Sequence, residues 1–187
     1  MLQIRFHGRG GQGVVTAAHL FAEASGFQGL YTVAFPIYGA ERRGAEIEAY
    51  CRISESPIRV TSPIEKPDIS VILDNTLLSV SKNPLRGLEE GKSSVLINSK
   101  HTINLKYKVY YVDATGIALN IGLVKSGWPL VNVIMLGSLI RIINNMVSLE
   151  SLKKAINEEF SGKVAELNIK GVELAYNSVR EVMELVH

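Results

Sequence analysis

Two short segments near the amino terminus carry residue types suited to meeting an anion. The first is Gly8-Arg9-Gly10-Gly11-Gln12-Gly13; the second is Pro36-Ile37-Tyr38-Gly39-Ala40-Glu41-Arg42-Arg43-Gly44. Gly8, Gly10 and Gly13 satisfy G-x-G-x-x-G, a spacing that permits positive φ and close approach of backbone to phosphate. A helix starting near Val14 would aim its amides and the positive end of its dipole at such a group. In the second segment, the guanidinium forks of Arg42 and Arg43 hold permanent charge and fit phosphate or carboxylate. Tyr38 beside them can stack on a base or cap a phosphate. Arg9 supplies a third cation, which a turn built only for packing does not need. Each segment also has a plain reading. The glycines can serve a tight turn and close helix packing, and the arginines can be a solvated turn paired with Glu41, Glu46 or Glu48.

A nucleotide site demands more than the glycines. A dinucleotide fold places an acid at the end of its second strand to hold the ribose hydroxyls. Here that strand ends at Phe35-Pro36 with no carboxylate. A P-loop needs Gly-Lys-Ser/Thr, and none follows the glycines.

The elements around these segments alternate. Leu2 to Phe6 reads as a strand ending at His7-Gly8, Val14 to Ala24 as a helix, and Tyr31 to Phe35 as a second strand stopped by Pro36. From Ala45 to Ile53 the chain alternates. Ile47, Ala49, Cys51 and Ile53 share one side; Glu46, Glu48, Tyr50 and Arg52 share the other. That predicts a half-exposed strand, at a sheet edge or in a hairpin with Ile58 to Val60. Ile69 to Leu73, Val95 to Ile97 and Val109 to Val112 are short apolar runs that fit buried parallel strands, ending at Asp74, Asn98 and Asp113. Helices are expected over Ala114 to Val124, over Val131 to Ile143 with Pro129 starting it, over Leu149 to Phe160, and over Val164 to Val186. Trp128 suits either an interface or the core. The alternation predicts a three-layer α/β/α fold with a mostly parallel sheet and a helical carboxyl-terminal end.

The length, 187 residues, is that of one domain spanning 1–187. Apolar residues make up 47% of the chain and charged residues 20%, which excludes intrinsic disorder. The mean hydropathy is slightly positive. A buried parallel sheet or an apolar surface hidden in an assembly would each account for that. A net charge of +2 gives no case for nucleic acid or an anionic membrane. The longest apolar stretch, Leu130 to Ile143, is too short and too interrupted to span a bilayer. Met1 leads straight into a strand, so no signal peptide is expected and the chain reads as cytoplasmic. With Cys51 alone, an internal disulfide, a cysteine-ligated zinc site and a four-cysteine cluster are all excluded.

The paired segments, in this order, resemble the gamma subunit of 2-oxoacid:ferredoxin oxidoreductases and the equivalent domain of the single-chain pyruvate enzymes. The residues carrying the match are Gly8 to Gly13, Pro36 to Gly44, Arg52-Ile53-Ser54, Pro57-Ile58, and Pro67-Asp68 with the strand to Asp74. The form Tyr38-Gly39-Ala40-Glu41-Arg42-Arg43-Gly44 resembles the pyruvate and branched-chain members. Ala45-Glu46-Ile47-Glu48 departs from the pattern, being more acidic than the family's small apolar run. The resemblance implies a complex that cleaves a 2-oxoacid with coenzyme A, giving acyl-CoA and carbon dioxide and passing electrons to ferredoxin. It implies thiamine diphosphate, magnesium and iron–sulfur clusters on partner subunits of alpha, beta and delta type, with no catalytic residue on this chain. Gly8, Arg9, Gly10, Gly11, Gln12, Gly13, Tyr38, Arg42 and Arg43 would then meet coenzyme A phosphates or a neighbouring subunit. Two rivals stay open: a stand-alone dinucleotide-binding oxidoreductase, and a non-enzymatic anion-binding scaffold.

Overall fold

The computed structural model describes residues 1–37, 44–144 and 146–182. Its strands are β1 (Leu2–Arg9), β2 (Tyr31–Pro36), β3 (Glu46–Ser54), β4 (Ile69–Ile72), β5 (Ser94–Asn98), β6 (Lys108–Val112), the hairpin pair β7 (Val124–Lys125) and β8 (Trp128–Pro129), and β9 (Arg180–Glu181). Its helices are α1 (Val14–Phe27), α2 (Leu77–Val80), α3 (Ala114–Ile121), α4 (Asn132–Ile142), α5 (Leu149–Glu159) and α6 (Gly162–Ser178). All strands but the hairpin pair form one seven-stranded sheet in the order β2-β3-β1-β4-β5-β6-β9. β4, β5 and β6 follow β1 in parallel; β3 runs against both β1 and β2, so β2 also points with β1. Only β3 and the short β9 run the other way among the described strands of this sheet, and the α/β class with a mostly parallel sheet holds.

Alternation along β1 sorts its side chains between two layers. Ile4 and Phe6 enter a large apolar core with Ala17, Ala18 and Phe21 of α1 and with Ala49, Cys51 and Ile53 of β3. α4 continues this layer. It is apolar nearly all round and buried from Asn132 to Ile140, as a helix enclosed by other elements must be. At Gly137, a Cβ would lie 2.1 Å from the Val172 carbonyl oxygen, so the missing side chain sets how closely α4 crosses α6. The opposite layer is thinner. Ile72, Val95, Ile97 and Val109 are covered there by Leu78, Leu85, Leu88 and Leu105 from α2 and from connecting segments.

Several boundaries differ from expectation, each for a local reason. β1 runs through His7 and Gly8 to Arg9, because β3 pairs with it as far as Arg9↔Glu46. β3 is not an edge strand. It lies between β2 and β1, and its hairpin partner is β2, not Ile58 to Val60. Nor is it half-exposed: Tyr50 and Arg52 are buried with Ala49, Cys51 and Ile53. α3 ends at Ile121, where Gly122 turns left-handed at φ 76. Val124, expected to end it, instead opens β7, and the hairpin β7–β8 turns through Ser126 and Gly127 at positive φ. Pro129 therefore sits in β8, and Trp128 stands 67% exposed, outside the core. The last helix stops at Ser178 so that β9 can pair with β6 at Tyr110 and Tyr111.

Candidate functional site

The amino-terminal glycine segment is a turn at the carboxyl ends of the parallel strands, the edge where open α/β sheets take ligands. Gly8 still belongs to β1, and a Cβ there would lie 2.5 Å from Val14 Cγ2. The glycine therefore lets α1 sit directly on the strand. Gly13 caps α1 in the left-handed region at φ 74. A Cβ on Gly13 would strike Asn132, whose Nδ2 donates to the Gly13 carbonyl at 3.2 Å. The first turn of α1 holds no acidic residue and its cap has no side chain, so nothing from those positions neutralises the positive end of the helix.

Arg9 is the hub of the turn. Its backbone amide donates to Gln12 Oε1 at 2.7 Å, and Gln12 N donates back to its carbonyl at 3.0 Å. Its side chain points across the sheet edge. Nε donates to Asp74 Oδ2 at 2.9 Å, Nη1 to the Gly44 carbonyl at 3.2 Å and Nη2 to Thr76 Oγ1 at 2.8 Å. Asp74 Oδ1 in turn accepts from both the amide and the hydroxyl of Thr76. Burial alone would raise the Asp74 carboxyl, but the bonds from Thr76 and the Arg9 guanidinium outweigh it and hold it below its ordinary value. The far end of the second segment is stitched to the first. Gly10 N donates to the Ala45 carbonyl at 2.8 Å, and Gly44 N to the Gly10 carbonyl at 3.3 Å. At its near end, Ile37 N donates to the Glu48 carbonyl. The two segments named from sequence are thus joined at Gly44, which meets Arg9 and Gly10, while Ile37 is held to β3. Tyr38, Arg42 and Arg43 lie outside the described residues.

Beneath this turn, on the face away from α1, lies a buried polar cluster that sequence reading missed. Arg5 and His7 of β1 face Glu46, Glu48 and Tyr50 of β3, and Arg5 and His7 are both fully buried. Arg5 Nε donates to His7 Nε2 at 2.8 Å; its Nη groups donate to the carbonyls of Ile64, Asn83 and Arg86. Glu48 Oε2 accepts from Tyr50 at 2.8 Å and from Arg86 at 3.3 Å. Burial, then the bond to Glu48, pushes the Tyr50 hydroxyl up to about 12. His7 Nδ1 stands 3.7 Å from Glu46 Oε1 and 3.9 Å from Glu48 Oε1, and neither Nδ1 nor Glu46 Oε1 has a hydrogen-bond partner among the described residues. One ligand atom from each of His7, Glu46 and Glu48 lies within 4.8 Å of the others, a spacing that suits a divalent cation. The protons argue otherwise. A neutral imidazole has one donor and one acceptor nitrogen, and Arg5 claims the Nε2 lone pair. Nδ1 then carries the hydrogen and has no lone pair for a metal. Burial pushes His7 down from its ordinary value and Arg5 works in the same direction, so the ring is neutral near pH 7. The signal was present in the sequence: the polar side of β3 matches Arg5 and His7, also two apart, on its neighbour.

The remaining candidates are structural. Asp113 caps α3 by accepting from Gly116 N at 2.8 Å. Cys51 is buried in β3, and burial alone pushes its thiol up to about 12, where it is inert at neutral pH. Asp74 lies two residues past the end of β4, the strand beside β1, a place from which an acid could reach a ribose. Its two oxygens are instead engaged by Arg9, Gln12 and Thr76. The geometry therefore speaks against a dinucleotide.

Fold and site together define an α/β protein with a glycine turn tied by arginine to a second segment at the sheet edge. Residues 3–178 match the pyruvate ferredoxin/flavodoxin oxidoreductase family, and the chain belongs to that family. It is 44% identical over 179 residues to the pyruvate synthase subunit PorC of Methanocaldococcus jannaschii, covering 96% of this chain and 97% of that one. It is 44% identical over 185 residues to the pyruvate/ketoisovalerate oxidoreductases common subunit gamma of Thermococcus kodakarensis, covering 95% and 96% of the two chains. Among solved structures, the pyruvate oxidoreductase subunit PORC of Thermotoga maritima superposes with a TM-score of 0.83 at 34% identity, over 97% of this chain and 98% of that one. The 2-oxoglutarate:ferredoxin oxidoreductase of Magnetococcus marinus shares the fold over 94% of this chain and 30% of that one, with a TM-score of 0.75 at 18% identity.

Proposed function

We propose that this chain is the gamma-type subunit of a pyruvate or related 2-oxoacid:ferredoxin oxidoreductase. In that complex, oxidative decarboxylation with coenzyme A yields acyl-CoA and carbon dioxide, and electrons leave to ferredoxin. Near full-length identity to subunits of pyruvate and ketoisovalerate oxidoreductases supports the assignment. The donor set of this chain does not fit an iron–sulfur cluster, since Cys51 is its one cysteine and is closed inside β3. Thiamine diphosphate, magnesium and the clusters belong, on this reading, to alpha, beta and delta-type partners in the cytoplasm. The chain contributes binding and orientation rather than a reacting group.

The surface it contributes is the glycine turn with the Pro36 to Gly44 segment, and the observation that carries this is the stitching of Gly44 and Ala45 to Gly10. Gly11, Gly13 and the start of α1 offer amides and a dipole to a phosphate. Arg9 and Gln12 hold the turn. Arg42 and Arg43 supply charge for the coenzyme A phosphates or for an acidic patch of a neighbouring subunit, and Tyr38 can stack on a base or cap a phosphate. Arg42→Ala with Arg43→Ala in the assembled complex should raise the KM for coenzyme A by about tenfold, the loss of about 1.4 kcal/mol of binding. An unchanged KM with assembly intact would refute the ligand role.

A further inference from the structure

We infer that β2 is the docking strand for a second copy of this chain. Two copies pair β2 against β2, antiparallel, about a two-fold axis at Val33, and their sheets become one. The inference holds or fails whatever the glycine turn binds.

β2 is an edge strand of the seven-stranded sheet. It pairs with β3 on one side and, among the described residues, with nothing on the other. A free edge is a row of unpaired N–H and C=O groups, which proteins guard with charge, bulges or brevity. The opposite edge is guarded: β9 is two residues long, and Arg180 and Glu181 are both exposed. β2 is not. It runs for six residues, Tyr31-Thr32-Val33-Ala34-Phe35-Pro36, with no charged side chain, and its register on β3 has no bulge. Which groups face outward follows from Ile37, whose amide donates to the Glu48 carbonyl at 3.1 Å. Bonding alternates along an antiparallel pair, so Tyr31, Val33 and Phe35 also point theirs at β3. Thr32 and Ala34 therefore aim N–H and C=O outward. These free groups fit their own copy. With the axis at Val33, Thr32 of each copy lies opposite Ala34 of the other and exchanges both bonds with it. The next pair out is Leu30 with Pro36, where neither donor is free: the Leu30 amide already donates to the Ser25 carbonyl at 3.3 Å, and Pro36 has no N–H. The ladder thus closes at the same pair on both ends. The side chains match as well. Tyr31, 49% exposed, stands across from Phe35 of the second copy, an aromatic cross-strand pair made twice by the symmetry. A two-fold contact must present one self-complementary patch, and an uncharged strand meets its own copy without like-charge repulsion. That match in register makes the occupant a second copy.

The test uses the full chain. It should sediment as a dimer at about 100 μM and dissociate on dilution, as a contact of this size implies. Thr32→Pro deletes an outward N–H that the chain itself does not use, a place where an edge strand accepts proline. It should weaken the dimer by at least about tenfold, with circular dichroism and melting unchanged. Val33→Cys sets two thiols face to face at the axis, in a pair whose side chains approach closely. Oxidised glutathione should join them in a disulfide dimer; Cys51 is buried and does not compete. Tyr31→Cys is the control. Position 31 is more exposed, but it faces Phe35 of the second copy and not itself, so its cross-linking should be at least about tenfold slower. A chain that stays monomeric at about 100 μM overturns the pairing. Equal cross-linking at both positions overturns it, since that is random collision. A dimer that ignores Thr32→Pro and is not cross-linked by Val33→Cys uses another face and overturns it too. In the assembled oxidoreductase the Val33→Cys product must again join two copies of this chain. A product with any other subunit, or none, overturns the pairing.

Discussion

The face of the sheet away from α1 is built in two ways. Over β4, β5 and β6 it is apolar, with Ile72, Val95, Ile97 and Val109 under a lid of leucines. Over β1 and β3 it is polar: Arg5, His7, Tyr50 and Arg52 are buried, and Glu46 and Glu48 are 20% and 11% exposed. The first half tolerates small errors of fit, because each lost contact is a fraction of a kcal/mol. The second half works only if its bonds are complete, because a buried charge without its partner is costly. Arg5 answers to His7 and to three carbonyls, and Arg52 to Gln3 and to the carbonyls of Val60 and Pro63. All those carbonyls but that of Asn83, which opens a single 3-10 turn, come from irregular chain. The arginines thus do for the loops over this half what leucines do over the other.

The largest effect expected from this contrast is at Arg5. Arg5→Met keeps the volume but strips the partners from His7 Nε2 and from the carbonyls of Ile64, Asn83 and Arg86. The expected loss is about 3–5 kcal/mol by chemical denaturation. A loss below about 1 kcal/mol would mean that the polar half is no more demanding than the apolar one.

Next comes pH. The folded His7 titrates below its ordinary value because it is buried and faces Arg5. A histidine with a depressed folded pKa contributes stability that is complete above the unfolded value near 6.5 and is lost as pH falls through that value toward the folded one. Acidification from pH 7 should therefore cost stability with a slope of up to about 1.4 kcal/mol per pH unit. His7→Gln should flatten that slope in a series of denaturation curves. In the apolar half, Ile97→Val should cost only about 1 kcal/mol, with no dependence on pH over the same range.

The contrast also explains what could be read from the chain. The apolar half is legible: continuous runs such as Ile69 to Leu73 and Val109 to Val112 mean buried parallel strands, and both pair in parallel, β4 buried throughout and β6 only at Val109 and Val112. The glycine turn is legible too, since Gly8 and Gly13 at that spacing, between a strand pattern and a helix pattern, fit a tight strand-to-helix junction. The polar half was misread, because alternation reports two faces and not what covers them. By alternation Glu46, Glu48, Tyr50 and Arg52 face water; in the fold they are roofed by the irregular chain around Val60 to Ile64 and by Asn83 and Arg86. Nor could spacing reveal the task of Arg9. Its main partners, Asp74 and Thr76, stand 65 and 67 residues away and meet it only because β4 lies beside β1. The carboxyl end was extended past Ser178 by its helical pattern, and two residues of strand pairing with β6 outweighed that pattern.

The smallest effect expected, that of zinc on the wild-type chain, is the sharpest test of how the polar half is wired. By distance alone, His7, Glu46 and Glu48 could hold zinc. By proton count they cannot, since the hydrogen bond from Arg5 leaves the hydrogen on Nδ1, the nitrogen that faces the carboxylates. Millimolar zinc should therefore shift the melting temperature of the wild-type chain by less than about 1 °C. Arg5→Met frees Nε2 to take the hydrogen and turns Nδ1 into a ligand. Zinc at about a hundred times its dissociation constant would then return about 2.7 kcal/mol, a rise of several degrees in a chain of this size. Stabilisation of both proteins would show that Arg5 does not set the tautomer. Stabilisation of neither would show that the carboxylates are held too rigidly to close on an ion. Only the split result makes Arg5 the residue that keeps a metal-shaped cluster free of metal.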